Sequence, residues 1–528
     1  MSRDNLKKKA LVLAIILVIV NMNIILGKSM NLPNEVRIGL NFNDTQTNQY
    51  TALSSFEIDC KEGMELGYFK DNKFNSLYTS KNTLTIKKGE NYHIKIGGNY
   101  IDYSALDIEL QAIKQQGINA YPVYADGWQI WEGFYSTEEE AKEAILSLSY
   151  GNGLNVVETS TTRIIALTEN QQVALVFDSL EGVFQVRPST DNSPSVFRIN
   201  RDDKRRYRGI LEVRRFTGSD MTLINVLSLE HYLYGVVPYE IQASSHPEAL
   251  KAQAVAARTY SVSNMQKYIR LNFNLCTTVY SQVYRGYDGE ATSTNKAIDD
   301  TKGEIVTFNG RPAAVFYFSS SGGRTEDVRN VWGSENFPYL ISVEDKYESG
   351  NSWRYNWKVS YTAQRIKEIM LQRGFDLGDI IGVNITKRSD AGRATELVVM
   401  GTKGERVYTN SGTRAFLSLD SQWFDISTDA DILVKFSDDT VSKTQLAGAK
   451  VMTASGIQTI GSGKKEINVV SGQNKKSTIP LAPTIYTFTG RGWGHGVGMS
   501  QEGAKGLANA GYKYKEILEH YFPGTKVE

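Results

Sequence analysis

Between Ala249 and Ala257, five of nine residues are alanine, within the run PEALKAQAVAARTYSV. Alanine is the strongest helix former and carries almost no side-chain bulk, so another backbone can approach a helix built from it closely. The rest of the chain must supply elements that pack against this segment. Ser245 with Glu248 three residues on reads as a capping box, and Pro247 falls in the first turn, where its missing N–H is not needed. The spacing predicts a helix from about His246 to Tyr268, with Leu250, Ala254, Val255, Ala257, Val262 and Met265 as its buried stripe. Gln253, Arg258 and Thr259 project polar groups from the same tightly packed stretch.

Immediately upstream, the apolar run YLYGVVPY stops at one carboxylate, Glu240. A glutamate held between two rigid elements in partly apolar surroundings has the setting of a general acid, because desolvation raises its pKa towards neutrality. The same spacing also suits a Glu240 that caps a helix or pairs with Arg258.

The N-terminus bears on location. Arg3 and Lys7 to Lys9 precede an uncharged stretch of 18 residues, ALVLAIILVIVNMNIILG, that runs to Lys28. This basic-then-apolar order is that of an export signal. No A-x-A cleavage site follows, so residues 1–28 are expected to be a signal peptide or, preferably, an uncleaved membrane anchor with its basic end inside. The remainder would then work outside the membrane, anchored or secreted. A net charge of +1 gives no reason to expect nucleic acid as a partner. With only Cys60 and Cys276, the chain is not a disulfide scaffold.

At 528 residues two or three domains are expected, and the pattern is α+β and multi-domain. Residues 32–103 alternate in short runs such as EVRIGL and YHIKIGG, a β-rich module. Residues 104–190 read as a helix, a hairpin turning at Asp126-Gly127, a second helix capped by Ser136 and Glu139, and strands: a small α+β module. Residues 195–526 form a larger mixed β-rich domain with helices. It contains a hairpin tipped by Asn309-Gly310, a helix over 360–373 and a polar insertion near 427–480.

Two further motifs lie in that domain. SSSGGRT offers the hydroxyls of Ser319, Ser320 and Ser321, suited either to sugar binding or to a plain capped turn. GRGWGHGVG has five glycines in nine residues and lacks the Lys-Ser/Thr ending of a phosphate loop. There Trp493 could stack on a sugar and His495 donate a hydrogen bond near Glu240; equally, both could be structural.

The stretches YLYGVVPYEIQASSHPEALKAQAVAARTYSV, FYFSSSGGRTEDVRNVWGSENFPYLISVED and GRGWGHGVGMSQEGAKGLANAGYKYKEILEHYFPGT, in that order, resemble the SpoIID/LytB family over roughly residues 195–525. The resemblance implies a peptidoglycan lytic transglycosylase with Glu240 as its catalytic residue. It would act on peptide-stripped glycan strands, with Gln253, Arg258, Ser319, Ser320, Ser321, Trp493 and His495 as candidate substrate contacts. It equally implies an alternative, since LytB-type members are described as modifiers that enhance a separate cell-wall amidase. Some relatives bind zinc through a Cys/His cluster after the long helix. Here Cys276 stands with Tyr280 and Ser281, too few ligands for a structural zinc, so no metal and no cofactor are expected. The 104–190 module resembles a SPOR-type repeat, which implies binding to glycan strands.

Overall fold

The computed structural model describes residues 32–528 except 149, 152, 191–193, 201–204, 217–218, 334–336, 436, 461–465 and 471–473. The expected signal or anchor at 1–28 lies outside the described residues. Among the described residues no helix is long and apolar enough to cross a membrane.

The alanine-dense segment forms the helix Pro247–Ser263, and eleven of its residues are buried, including Gln253, Arg258 and Thr259. Five helices pack on it: Leu229–Tyr234, Val237–Glu240, Thr292–Asp300, Gln501–Asn509 and Tyr514–Tyr521. The close approach that alanine permits is therefore used on nearly every side. The cap sits one residue later than the capping-box reading: His246 Nδ1 accepts the Glu248 N–H at 3.2 Å. The helix also stops five residues early. Asn264 ends it by turning its side-chain amide back onto the Tyr260 carbonyl at 2.8 Å.

Two large sheets share one core with this helix. The first has seven strands in the order Leu275–Cys276, Glu35–Asn41, Met221–Ser228, Ile210–Arg215, Val183–Pro188, Met64–Lys70, Lys73–Ser80. The second has ten strands, running from Leu154–Val157 at one edge to Arg206–Arg208 at the other. Strands from 32–103, 104–190 and 195–526 are interleaved in both, so the expected boundaries at 103 and 190 fall inside continuous sheets. Alternation marks a strand but not its partner, and here the partners are far apart in sequence. The helix Tyr103–Gln115, the hairpin Ala120–Tyr124/Trp128–Tyr135 and the helix Glu138–Ser147 occur in the order read. Thr137 rather than Ser136 caps the last, accepting the Glu140 N–H at 3.2 Å.

A second core gathers Trp357, Ile366, Met370, Leu397, Phe416 and Phe488. Its central strand, Ile485–Arg491, pairs on either side with Asn356–Thr362 and Phe424–Thr428. Residues 360–373 are thus the end of a strand followed by the helix Ala363–Gln372 capped by Thr362. The expected insertion leaves between two neighbouring strands as hairpins, Asp431–Lys435/Val441–Gln445, Lys450–Thr453/Gly456–Thr459 and Glu466–Val470/Lys476–Pro480, with largely exposed side chains.

Candidate active site

Glu240 closes the one-turn helix Val237–Glu240, with Pro238 in its opening positions and Val236, Val237 and Ile241 buried around it. Burial pushes its carboxyl up to about 7, against hydrogen bonds from the Val283 N–H, the Tyr317 hydroxyl and the Gln501 side chain that favour the ionised form. Desolvation wins, so the group keeps its proton to a higher pH than an ordinary glutamate does. Glu240 is only partly exposed, and no described cation forms an ion pair with it.

The partners of Glu240 are themselves fixed. Tyr317 accepts a hydrogen bond from Gln282 Nε2 at 2.9 Å, which leaves its own proton to point at the carboxylate. Gln282 Oε1 accepts the Ser261 hydroxyl at 2.9 Å, and its Nε2 also reaches the Ala257 carbonyl at 3.3 Å. The alanine-dense helix thereby orients Tyr317 through Gln282. Gln501, at the start of its helix, donates to Gln253 Oε1 at 3.3 Å. Gln253, expected to bind substrate, is fully buried and positions Gln501 instead.

His495 has both ring nitrogens occupied. Nδ1 accepts the Val497 N–H at 3.1 Å, so Nε2 carries the proton and donates it to the Tyr317 carbonyl at 3.1 Å. Burial pushes its pKa down to about 3, and the ring packs on Phe318 and Trp332. It anchors the backbone of Tyr317 and does not act as a base.

The structure corrects three other expectations. Arg258 is buried and forks onto Glu230, at 3.0 and 2.7 Å, with further bonds to the Glu304 and Ile298 carbonyls. Its guanidinium is engaged there and forms no ion pair with Glu240. Ser320 and Ser321 are buried, and their hydroxyls, with the N–H groups of Ser321 and Gly322, surround the Glu348 carboxylate. A carboxylate needs such donors when buried, and those hydroxyls are not available to a sugar. Ser319 remains partly exposed, its carbonyl accepting the Glu502 N–H at 2.9 Å. Trp493 is 37% exposed and lies edge-on to Trp353, 55% exposed, at a centroid distance of 3.9 Å.

Cys276 is buried against Tyr268 and Phe273, and its thiol donates towards the Tyr268 and Ser281 hydroxyl oxygens, each at 3.5 Å. Among the described residues no group of three or more His, Cys, Asp or Glu side chains could hold a metal.

The SpoIID family model, described as Stage II sporulation protein, matches residues 217–308, which include Glu240, the long helix, Gln282 and Val283. A second model, described only as a domain of unknown function, matches residues 323–449. The amidase enhancer of Bacillus subtilis (strain 168) is 33% identical over 304 residues, 56% of this chain and 40% of that protein. The chain thus spans two fifths of that relative's length. An uncharacterized protein of Brachyspira hyodysenteriae (strain ATCC 49526 / WA1) is 30% identical over 58% of this chain and 68% of its own length. Stage II sporulation protein D of Bacillus subtilis is 28% identical over 57% of this chain and 74% of its own length. The chain belongs to the SpoIID/LytB family.

Proposed function

We propose that the protein is a peptidoglycan lytic transglycosylase that cleaves peptide-stripped glycan strands between muramic acid and glucosamine, with Glu240 as the single acid and base. The observation that carries this reading is the state of Glu240: partly open, free of ion pairs, its carboxyl pushed up to about 7 and aimed by Tyr317 and Gln501. Protonated Glu240 donates its proton to the glycosidic oxygen as the bond from muramic C1 to that oxygen breaks. The carboxylate left behind takes the proton of the muramic 6-hydroxyl, whose oxygen then bonds C1 and closes the 1,6-anhydro ring. The proton returns to Glu240, and neither water nor a second carboxylate is needed. Most glycosidases need two carboxylates because one of them must activate water or form a covalent sugar ester. Incubation with peptide-stripped strands, followed by mass spectrometry, tests the reading: new 1,6-anhydromuramic ends are expected, and Glu240→Gln abolishes them.

The second reading follows from the amidase enhancer, 33% identical to this chain. Here the domain binds the wall and raises the activity of a partner amidase without cutting glycan. An amidase accelerated equally by the wild-type protein and by Glu240→Gln, with no new glycan ends, favours it. In either reading the protein works outside the membrane, held through residues 1–28, with the 104–190 segment as a SPOR-like contact to glycan.

A further inference from the structure

Tyr239 immediately precedes Glu240, and its ring is 49% exposed although Val236, Val237 and Ile241 are buried. The ring is nonetheless seated. A Cβ on Gly289 would stand 2.2 Å from Tyr239 Cε2, so a side chain there would displace the ring. The Arg285 guanidinium lies 5.8 Å from the ring centroid.

Arg285 differs from its neighbours. Arg206 and Arg208 also lie over a ring, that of Tyr287, but both are neutralised, by Asp288 and Glu290. Arg285 is exposed, and among the described residues its guanidinium has no hydrogen-bond or ion-pair partner. Its backbone is held all the same. Its N–H donates to the Gly235 carbonyl at 3.1 Å, and Val283, whose N–H serves Glu240, lies two residues before it. A seated aromatic ring one residue before Glu240 and an exposed, unpaired guanidinium two residues after Val283 therefore meet from two chain segments.

We propose that Tyr239 and Arg285 form a subsite for a muramic acid whose lactyl carboxylate is free. The tyrosine ring meets the apolar face of the sugar, and the guanidinium takes the carboxylate through its paired donors. A muramic acid that still carries peptide has this carboxyl converted to a neutral amide, which cannot accept the fork as an anion. The inference rests on Glu240 marking the glycan site, and it assigns the discrimination between acid and amide to Arg285.

The test measures binding in the Glu240→Gln background, where turnover does not interfere. The two probes are a GlcNAc–MurNAc oligosaccharide with free lactyl carboxylates and the same oligosaccharide with those carboxylates converted to methylamides. The free acid is expected to bind about tenfold more tightly. Adding Arg285→Gln brings the two affinities within about twofold, and adding Tyr239→Ala weakens both ligands. A preference that survives Arg285→Gln, no preference in the parent, or unchanged affinities with Tyr239→Ala overturns the proposal. Absence of cleavage by the wild-type protein, with the preference intact, overturns the transglycosylase reading alone.

Discussion

Gln282 Nε2 donates to the Tyr317 phenol oxygen at 2.9 Å while Gln282 Oε1 is held by Ser261, so the phenol proton has one remaining direction, towards Glu240. Tyr317→Phe removes that donor and keeps the ring. Because the lost hydrogen bond favours the ionised carboxylate, the pKa of Glu240 rises further. The alkaline limb of the pH–rate profile for glycan cleavage is expected to move to higher pH, and the maximal rate to fall by roughly tenfold or more. An unmoved limb counts against Tyr317 as the tuning donor.

Glu240 also sets a pH dependence of stability. Its folded pKa of about 7 lies above the usual glutamate value, so the folded state holds more of the proton than the unfolded one. Its stabilising effect is complete below the unfolded pKa and declines as pH rises through about 7. Glu240→Gln, which cannot ionise, should therefore be more stable than wild type above pH 7, by up to about 3 kcal/mol, with the gap closing towards pH 4. Urea unfolding of both proteins across that range checks it.

His495 should not titrate between pH 5 and 8, since its pKa is held near 3. Its ring nitrogens, followed by NMR, are expected to report one neutral tautomer, protonated at Nε2, throughout. A titration near the usual histidine value would remove it from the anchoring role on Tyr317.

Arg258→Ala leaves Glu230 without its guanidinium partner and also removes donors from two buried carbonyls. A loss of about 3–5 kcal/mol is expected from chemical denaturation. Arg258→Lys recovers only part of it, because an ammonium cannot reproduce the fork.

Replacing residues 431–482 by a short turn should preserve both cores. Asp429 already accepts the Thr484 N–H at 2.9 Å, and the strands on either side are neighbours, so the junction is closed without the excursion. The melting temperature of the shortened chain is expected within a few degrees of wild type. A collapse would show that the hairpins carry part of the fold.

Features that depend on neighbouring residues were legible in the chain. The alanine-dense helix, the Asn309-Gly310 turn with both residues at positive φ, and Glu240 beside the helix all follow from local chemistry. Features that depend on a distant partner were not. Nothing around SSSGGRT announces that Glu348, more than twenty residues on, will occupy two of its hydroxyls. Tyr317 and Gln501 lie inside the family motifs, yet a phenol and an amide carry less chemical signal in sequence than the imidazole of His495. A polar residue among buried neighbours was the available signal in each case. Arg258, expected as a substrate contact or as a partner of Glu240, is instead claimed by Glu230, one helix away.

The strand Glu35–Asn41 lies between Met221–Ser228 and Leu275–Cys276. This segment is made roughly 180 to 240 residues before the partners that cover its edges. Long-range closure of this kind slows folding and leaves an apolar ribbon open to wrong pairing in the interval. Refolding of the full chain should accordingly be slow and sensitive to protein concentration, and the nascent chain has reason to be shielded until the middle of the sequence has been made.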